Sequence, residues 1–362
     1  MRVIVSAGGT GGHIYPALAI INKIKQEDKN AEILYIGTTN RMEKDIIPNH
    51  NINYIGIKVK GLNRKNIFAN IIVLYYFIKA IFKSKKIIKD FNPDIVIGVG
   101  GYVTAPVIYA AHKLGIKTLI HEQNSEFGMT NKFLAKYVDA IASSFQNMEE
   151  NIEKTTYTGN PVGDASLNIQ FDKKELKLTE NKKFVLIVMG SLGSDVTSNK
   201  MIDILPAFNN KEYEVVYITG KDYYEKFKNL KLSKNIHIVP YVEDMRKTFS
   251  KVDVLVSRAG AATMSEIIAY KVPTILIPSP FVTHNHQYKN AKSFVEKNAA
   301  LLLEEKDLDK ELLVSKVEYL LDNEKKAKEM KENLSKMYIP NSANKIYNLI
   351  KKLVSEKQLW KS

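Results

Sequence analysis

The sequence contains no cysteine. That excludes disulfides, thiolate metal sites and a cysteine nucleophile, and it suits a reducing compartment. It also lacks any run of the roughly 18 apolar residues that a membrane-spanning helix requires. The chain passes from Met1 and Arg2 straight into a strand pattern, so no signal peptide is expected and a cytoplasmic protein is. No DxD-like carboxylate pair stands in a glycine-turn context, so no essential metal is expected, and no motif of a known nucleic-acid-binding module is present. What is there is ordinary in bulk: 362 residues, 45% hydrophobic and 25% charged, long enough for two domains. Net charge is +14, from 53 Lys and Arg against 39 Asp and Glu. Such an excess suits anionic partners such as nucleotide diphosphates, anionic lipid or nucleic acid; a general bias toward Lys, Ile and Asn is the competing source of it.

The chain is organised around residues 257–291. The apolar run 252–256 (VDVLV) reads as a buried parallel strand. Gly260 then leads into a helical pattern, so free backbone N–H groups and the positive end of the helix open at its mouth, which makes an anion site. Glu266 falls in the first turns of that helix. An ionised carboxylate only accepts, so beside a phosphate cradle it suits a pair of sugar hydroxyls; the alternative is a simple complement to the helix dipole. PTILIPSP gives another buried strand, followed by His284, Asn285, His286, Gln287 and Asn290. Polar groups past the C-terminal end of a parallel strand lie where open α/β sheets bind ligands, so the stretch reads as a nucleotide-sugar pocket.

From the start, residues 2–7 (RVIVSA) form a strand, the turn GGTGGH occupies 8–13, and a helix pattern covers 16–25. The spacing is not GxGxxG, so this is not the dinucleotide fingerprint. Glycines let backbone approach a phosphate, and His13 beside them is placed either to act as a base near neutral pH or to pack on the start of the helix. Strands follow at 31–37 and 52–59. Residues 60–86 join an apolar centre to the basic flanks Arg64, Lys65, Lys79, Lys83, Lys85 and Lys86. That is the makeup of a helix lying in a membrane interface, or of a buried sandwich helix with basic ends. Strand 93–99 runs into Gly98, Gly100, Gly101 and Tyr102, and strand 116–120 into His121, Glu122, Gln123 and Asn124. In a parallel sheet such ends converge on one cleft.

TGNPVGD, residues 158–164, marks an interdomain linker. The pattern restarts with strand 184–189, the glycine turn 190–194 and a helix, and strands at 213–219 and 236–240 follow, with the loop 241–245 on the same edge. The expected fold class is α/β, with two Rossmann-like domains facing across a cleft. One domain is residues 1–161 with the C-terminal helix at 340–362; the other is 162–339.

Together these blocks, GGTGGHIYPALAI, GVGGYVTAPVIYAA, HEQNSEFGMTNKFLAK, TGNPV, MGSLGS, and SRAGAATMSEIIAYKVPTILIPSP with HNHQYKNA, resemble the MurG family of glycosyltransferases, in order from residue 8 to residue 291. The resemblance implies a GT-B type fold and transfer of GlcNAc from UDP-GlcNAc to the MurNAc of undecaprenyl-diphosphate-linked MurNAc-pentapeptide, lipid I to lipid II, in peptidoglycan synthesis. It implies an acceptor-binding and membrane-binding first domain and a UDP-GlcNAc-binding second domain, at the cytoplasmic face of the cell membrane. By position it carries Thr10, Gly11, Gly12 and His13 to the active site, with the histidine a proposed base, and Gly100, Gly101 and Tyr102 to the acceptor side. Asn124 would contact the donor sugar with Glu122 nearby, Ser191 the diphosphate, and Val242 the uracil. Ala261, Ala262, Thr263, Met264, Ser265 and Glu266 would bind the nucleotide, with Glu266 on the ribose, and Gln287 would contact the GlcNAc. The implied partners are the two substrates and an anionic inner-membrane surface, with no cofactor and no nucleic acid. One departure stands out: the family usually continues GNPV with a diphosphate-binding arginine, and here the position is Gly163. The other, MGSLGS for the usual GGSxGA, keeps Ser191 and Gly193.

The chemistry this implies is an oxocarbenium-like, inverting displacement in which helix starts stabilise the leaving UDP and a base takes the proton of the MurNAc C4 hydroxyl. His13 is the first candidate for that base and Glu122 the second. The rival readings are a glycosyltransferase acting on diacylglycerol, a UDP-GlcNAc 2-epimerase and a catalytically silent nucleotide-sugar binder.

Overall fold

The computed structural model describes residues 1–61, 70–146, 152–164, 172–189, 195–242, 245–282 and 285–359. The chain divides into two compact units, Met1–Asp164 with Ile339–Ser362, and Ala165–Tyr338.

The first unit alternates strand and helix: β1 (Arg2–Ser6), α1 (Gly11–Glu27), β2 (Glu32–Thr38), α2 (Glu43–Asn49), β3 (Asn53–Ile57), α3 (Asn70–Phe91), β4 (Ile95–Gly98), α4 (Thr104–Lys113), β5 (Lys117–Glu122), α5 (Met129–Leu134), β6 (Ala140–Ser143), β7 (Thr155–Tyr157) and α6 (Pro161–Asp164). Among the described residues these strands form one seven-stranded sheet, β3-β2-β1-β4-β5-β6-β7, with every pairing parallel. The central strands are continuous apolar runs because helices cover both faces: Val3, Ile4, Val5, Ile95, Val96 and Ile97 are all 0% exposed. The order runs from β1 outward in one direction to β2 and in the other to β4. That reversal opens a crevice at the C-terminal ends of β1 and β4, where the turn of residues 8–10 and the turn of residues 99–103 both emerge.

The second unit repeats the scheme with β8 (Phe184–Val188), α7 (Asp195–Ile204), β9 (Glu214–Ile218), β10 (Ile236–Val239), α8 (Met245–Phe249), β11 (Val254–Ser257), α9 (Ala261–Tyr270), β12 (Thr274–Leu276), α10 (His286–Val295), β13 (Leu301–Leu302), α11 (Lys310–Asp322) and α12 (Glu324–Met337). Its sheet is parallel in the order β10-β9-β8-β11-β12-β13, and the reversal lies between β8 and β11. The loop after β11, residues 258–260, therefore leaves the sheet at the switch point.

The last helix, α13 (Ser342–Leu359), belongs to the first unit. Ile346, Tyr347, Ile350 and Leu353 enter the same apolar cluster as Ile14, Ala17, Leu18 and Ile21 of α1. Asp164 seats the start of this helix by accepting the Ala343 amide at 2.7 Å. The short strands β7 and β13 fall outside the sequence expectation, and β5 continues through His121 and Glu122, so those two side chains stand in the strand rather than in the loop beyond it.

Because Asp164 satisfies an otherwise orphaned amide at a helix start, Asp164→Ala should lower stability by about 1 kcal/mol. A urea denaturation midpoint unchanged by the substitution would remove this role.

Candidate active site

Two glycine turns interlock at the switch point of the first unit. The Gly8 amide donates to Gly100 O at 3.1 Å, and Val99 N donates to Ser6 O at 2.8 Å. The Thr104 hydroxyl lies 3.1 Å from Ser6 O and 2.8 Å from Gly100 O. Gly101 has φ +89°, and a Cβ there would come 2.3 Å from Gly8 O, so two independent constraints demand glycine.

His13 sits in the first turn of α1, half-buried, with its ring against Gly100. Its Nδ1 lies 3.0 Å from Gly8 O and 3.3 Å from the Thr10 hydroxyl. A carbonyl only accepts, so Nδ1 carries the proton in the neutral ring and Nε2 keeps its lone pair. Burial holds the imidazole below its ordinary value, opposed by the Glu122 carboxylate, the Gly8 carbonyl and the Glu43 carboxylate. A neutral imidazole with a directed lone pair can take a proton. Thr10 is exposed, and Gly11 and Gly12 follow it as the first helical residues, ahead of the first intrahelical bonds, which His13 N and Ile14 N make to Thr10 O. Tyr102 is 45% exposed beside Gly100 and Gly101.

Glu122, the second candidate for the base, lies at the end of β5. It is 1% exposed, and both its oxygens are engaged: Oε1 accepts the amide and the side-chain NH2 of Asn124 at 3.0 and 2.9 Å, and Oε2 accepts Gly128 N and Asn131 Nδ2 at 3.0 and 2.8 Å. Four N–H donors thus converge on this one carboxylate. What it does here is hold Asn124. Its neighbour Gln123 is also consumed, donating to Val99 O at 2.7 Å and so tying β5 to the end of β4.

In the second unit Gly260 caps α9, and Met264 N is the first amide of that helix to find an intrahelical acceptor, Gly260 O. The amides of Ala261, Ala262 and Thr263 thus precede the ladder at the positive helix end, and those residues are half-buried. Met264 is 1% exposed and packs inward, while the Ser265 hydroxyl donates to Ala261 O at 2.9 Å. Glu266 stands half-buried in the second turn. Gln287 Oε1 accepts Ser279 N at 2.9 Å, which orients its NH2 as a donor, and Asn290 donates to Ala259 O at 3.1 Å. Val242 is half-buried just past β10. Ser191 with the glycine turn 190–194, His284, Arg64 and Lys65 lie outside the described residues.

Sequence reasoning missed Arg258, which is buried behind the α9 start. Its guanidinium donates to Ile277 O at 3.0 Å and to the Thr197 hydroxyl at 3.1 Å, and pairs with the buried Glu305. It thereby fixes α7, β11 and the end of β12 to one another. The only sequence signal was an arginine at the end of an apolar strand. Glu43, behind the first glycine turn, was missed as well. Among the described residues no group of three His, Asp or Glu side chains could hold a metal ion.

Paired doubly wound parallel sheets with polar strand ends and helix starts at their switch points define the GT-B class of glycosyltransferases. Residues 3–143 match the glycosyltransferase family 28 N-terminal domain, and residues 184–353 the glycosyltransferase family 28 C-terminal domain. The chain belongs to glycosyltransferase family 28. A Bacillus cytotoxicus protein, by name a UDP-N-acetylglucosamine--N-acetylmuramyl-(pentapeptide) pyrophosphoryl-undecaprenol N-acetylglucosamine transferase, is 44% identical over 98% of this chain and 100% of its own. Its namesake from Bacillus subtilis is 42% identical over 98% of this chain and 99% of its own. The crystal structure of Acinetobacter baumannii MurG aligns with TM-score 0.79 at 28% identity, covering 97% of this chain and 99% of that one.

His121 supplies a test of the interior behind this site. It is 0% exposed, and burial pushes its pKa down to about 4. The unfolded chain takes this proton near pH 6.5 and the folded one only near 4, so in that window the unfolded state binds more protons and stability falls as pH drops. The full loss should be about 3 kcal/mol. Urea midpoints between pH 7 and pH 4.5 should fall more steeply for wild type than for His121→Gln; equal slopes would acquit the histidine.

Proposed function

We propose that this protein transfers GlcNAc from UDP-GlcNAc to the C4 hydroxyl of MurNAc in undecaprenyl-diphosphoryl-MurNAc-pentapeptide, with inversion at the anomeric carbon. The observation that carries the reading is the state of His13: Nδ1 is tied to Gly8 O and Nε2 is left as a proton acceptor at the sheet's switch point. The names of full-length relatives at 44% and 42% identity supply the substrates.

In this mechanism Nε2 of His13 takes the C4 hydroxyl proton as that oxygen bonds to C1 of GlcNAc. The bond from C1 to the diphosphate breaks on the opposite face, and UDP departs with the electron pair. Asn124, oriented by Glu122, and the NH2 of Gln287 hydrogen-bond the GlcNAc hydroxyls. The α9 start and Ser191 meet the charge that develops on the diphosphate, and Glu266 accepts from the ribose hydroxyls. Val242 contacts the uracil, and the backbone of Gly100 and Gly101 with Tyr102 lines the acceptor side. No step requires a metal, so turnover should persist in EDTA.

The membrane contact we assign to α3. Its buried stripe is narrow, Val73, Ala80, Ser84 and Ile88, while Ile71, Ile72, Leu74, Tyr75, Ile78 and Phe82 face outward, Ile71 and Phe82 at 69% and 68% exposure. An outward apolar face flanked by Lys79, Lys83 and Lys86 is what a helix lying on anionic lipid needs, and among the described residues no helix is long and apolar enough to cross a bilayer.

Three measurements test the reading. Labelled GlcNAc should pass from UDP-GlcNAc to a short-chain lipid I analogue, and His13→Ala should lose roughly 100-fold or more in kcat, whereas wild type forming no disaccharide would sink the function. Since burial dominates His13, the acid limb of kcat/KM should lie below pH 6.5; a limb above it contradicts a buried imidazole base. Ile71→Ser/Leu74→Ser/Phe82→Ser should abolish flotation with anionic vesicles and spare turnover of the short-chain acceptor, while flotation equal to wild type would release α3 from this role.

A further inference from the structure

The peptide group joining Gly8 to Gly9 has both polar ends engaged within the first unit. Its carbonyl accepts Nδ1–H of His13 at 3.0 Å, and its N–H donates to Glu43 Oε2 at 3.1 Å. Glu43 opens α2 and is 0% exposed. Its other oxygen accepts the amide and the hydroxyl of Thr38 at 3.0 and 2.6 Å. The backbone makes room for this carboxylate: a Cβ at Gly8 would stand 2.5 Å from Glu43 Oε1, and one at Gly37 2.8 Å from its Cγ. A buried anion is costly unless hydrogen-bonded, and here two N–H groups and a hydroxyl compensate it.

We propose that Glu43, the Gly8–Gly9 peptide and His13 form a carboxylate–peptide–imidazole relay, in which Glu43 is a positioning residue that holds the His13 tautomer and keeps Nε2 basic. A carboxylate accepting from a peptide N–H polarises that peptide, and its carbonyl becomes a better acceptor, because hydrogen bonds in series strengthen one another. The stronger acceptor keeps the proton on Nδ1 and stabilises the positive ring that forms when Nε2 gains one. In serine hydrolases a carboxylate does this by direct contact with the imidazole; here one peptide group stands between them.

Among the described residues the groups facing His13 come from several elements. Glu43 approaches from α2 and Glu122 from the end of β5, both raising its proton affinity against the burial that lowers it. Gly8 and Thr10 of its own turn meet Nδ1, and Gly100 lies against the ring. Glu122 is held by four N–H donors and acts on the ring only through space. Among the described residues, Glu43 is the carboxylate joined to it through a hydrogen-bonded peptide group. A second consequence follows for the glycine turn: the Gly9 amide is engaged by a carboxylate and is not offered to a substrate phosphate.

The catalytic arm of this proposal rests on His13 being the base; the structural arm does not. Nitrogen-15 histidine NMR on the full chain separates them, with His13→Gln assigning the resonance. Wild type should show the neutral ring protonated at Nδ1. In Glu43→Gln the Nε2–H form should appear and the His13 pKa should fall by about half a unit. An unchanged tautomer and pKa would overturn the relay. Should that variant unfold, the wild-type Gly9 amide proton decides: a bond to a carboxylate moves it downfield, and an ordinary shift overturns the relay. If His13 is the base, the acid limb of kcat/KM moves with the NMR pKa. A moved NMR pKa with a stationary limb keeps the relay and removes His13 as the base.

Discussion

The hydrogen bond from the Gly8 amide to the Gly100 carbonyl is the constraint on which the first unit's site depends. It joins two turns that leave the sheet in opposite winding directions, and it has no side chain to tune it. The neighbouring contacts serve to keep it in place: Thr104 against Ser6 O and Gly100 O, Gln123 against Val99 O, and the positive φ of Gly100 and Gly101. With the turns fixed to each other, the imidazole of His13 and the amide of Asn124 are carried on backbone that cannot drift independently. Little ordering is then left for substrate binding to complete, which is the economy of a preorganised site.

The second unit reaches a similar end with a buried charge pair. Arg258 and Glu305 draw together the start of α7, the end of β11 and the end of β12, while Asn290 holds Ala259 O from α10. The cost of such a pair is desolvation, and it is offset because the guanidinium also satisfies a carbonyl and a hydroxyl. What it secures is the aim of the α9 start, a feature whose electrostatic use depends on direction as much as on charge.

Much of this was legible in the sequence for one physical reason. Strands covered on both faces are written as unbroken apolar runs, so β1, β4, β8, β9 and β11 announce themselves. The edge strands β7 and β13, three and two residues long, carry too little pattern to be read. The hydrogen-bonding of Glu122 was not legible in the sequence, because its four donors come partly from Gly128 and Asn131, which the fold alone brings to it. Glu43 was invisible for the complementary reason, since it stands 34 residues from the amide it holds. For α3 two readings stayed open because it is apolar on two faces, and only the packing tells which face is covered.

The placement of α13 has a consequence for biogenesis. A helix that follows the second unit in sequence completes the core of the first, through Ile346, Tyr347, Ile350 and Leu353. On the ribosome the second unit has all its strands and helices before the first does. The strands β1 to β7 emerge with part of the α1 surface still uncovered. Until α13 emerges, that face of α1 is apolar surface open to a chaperone on the nascent chain.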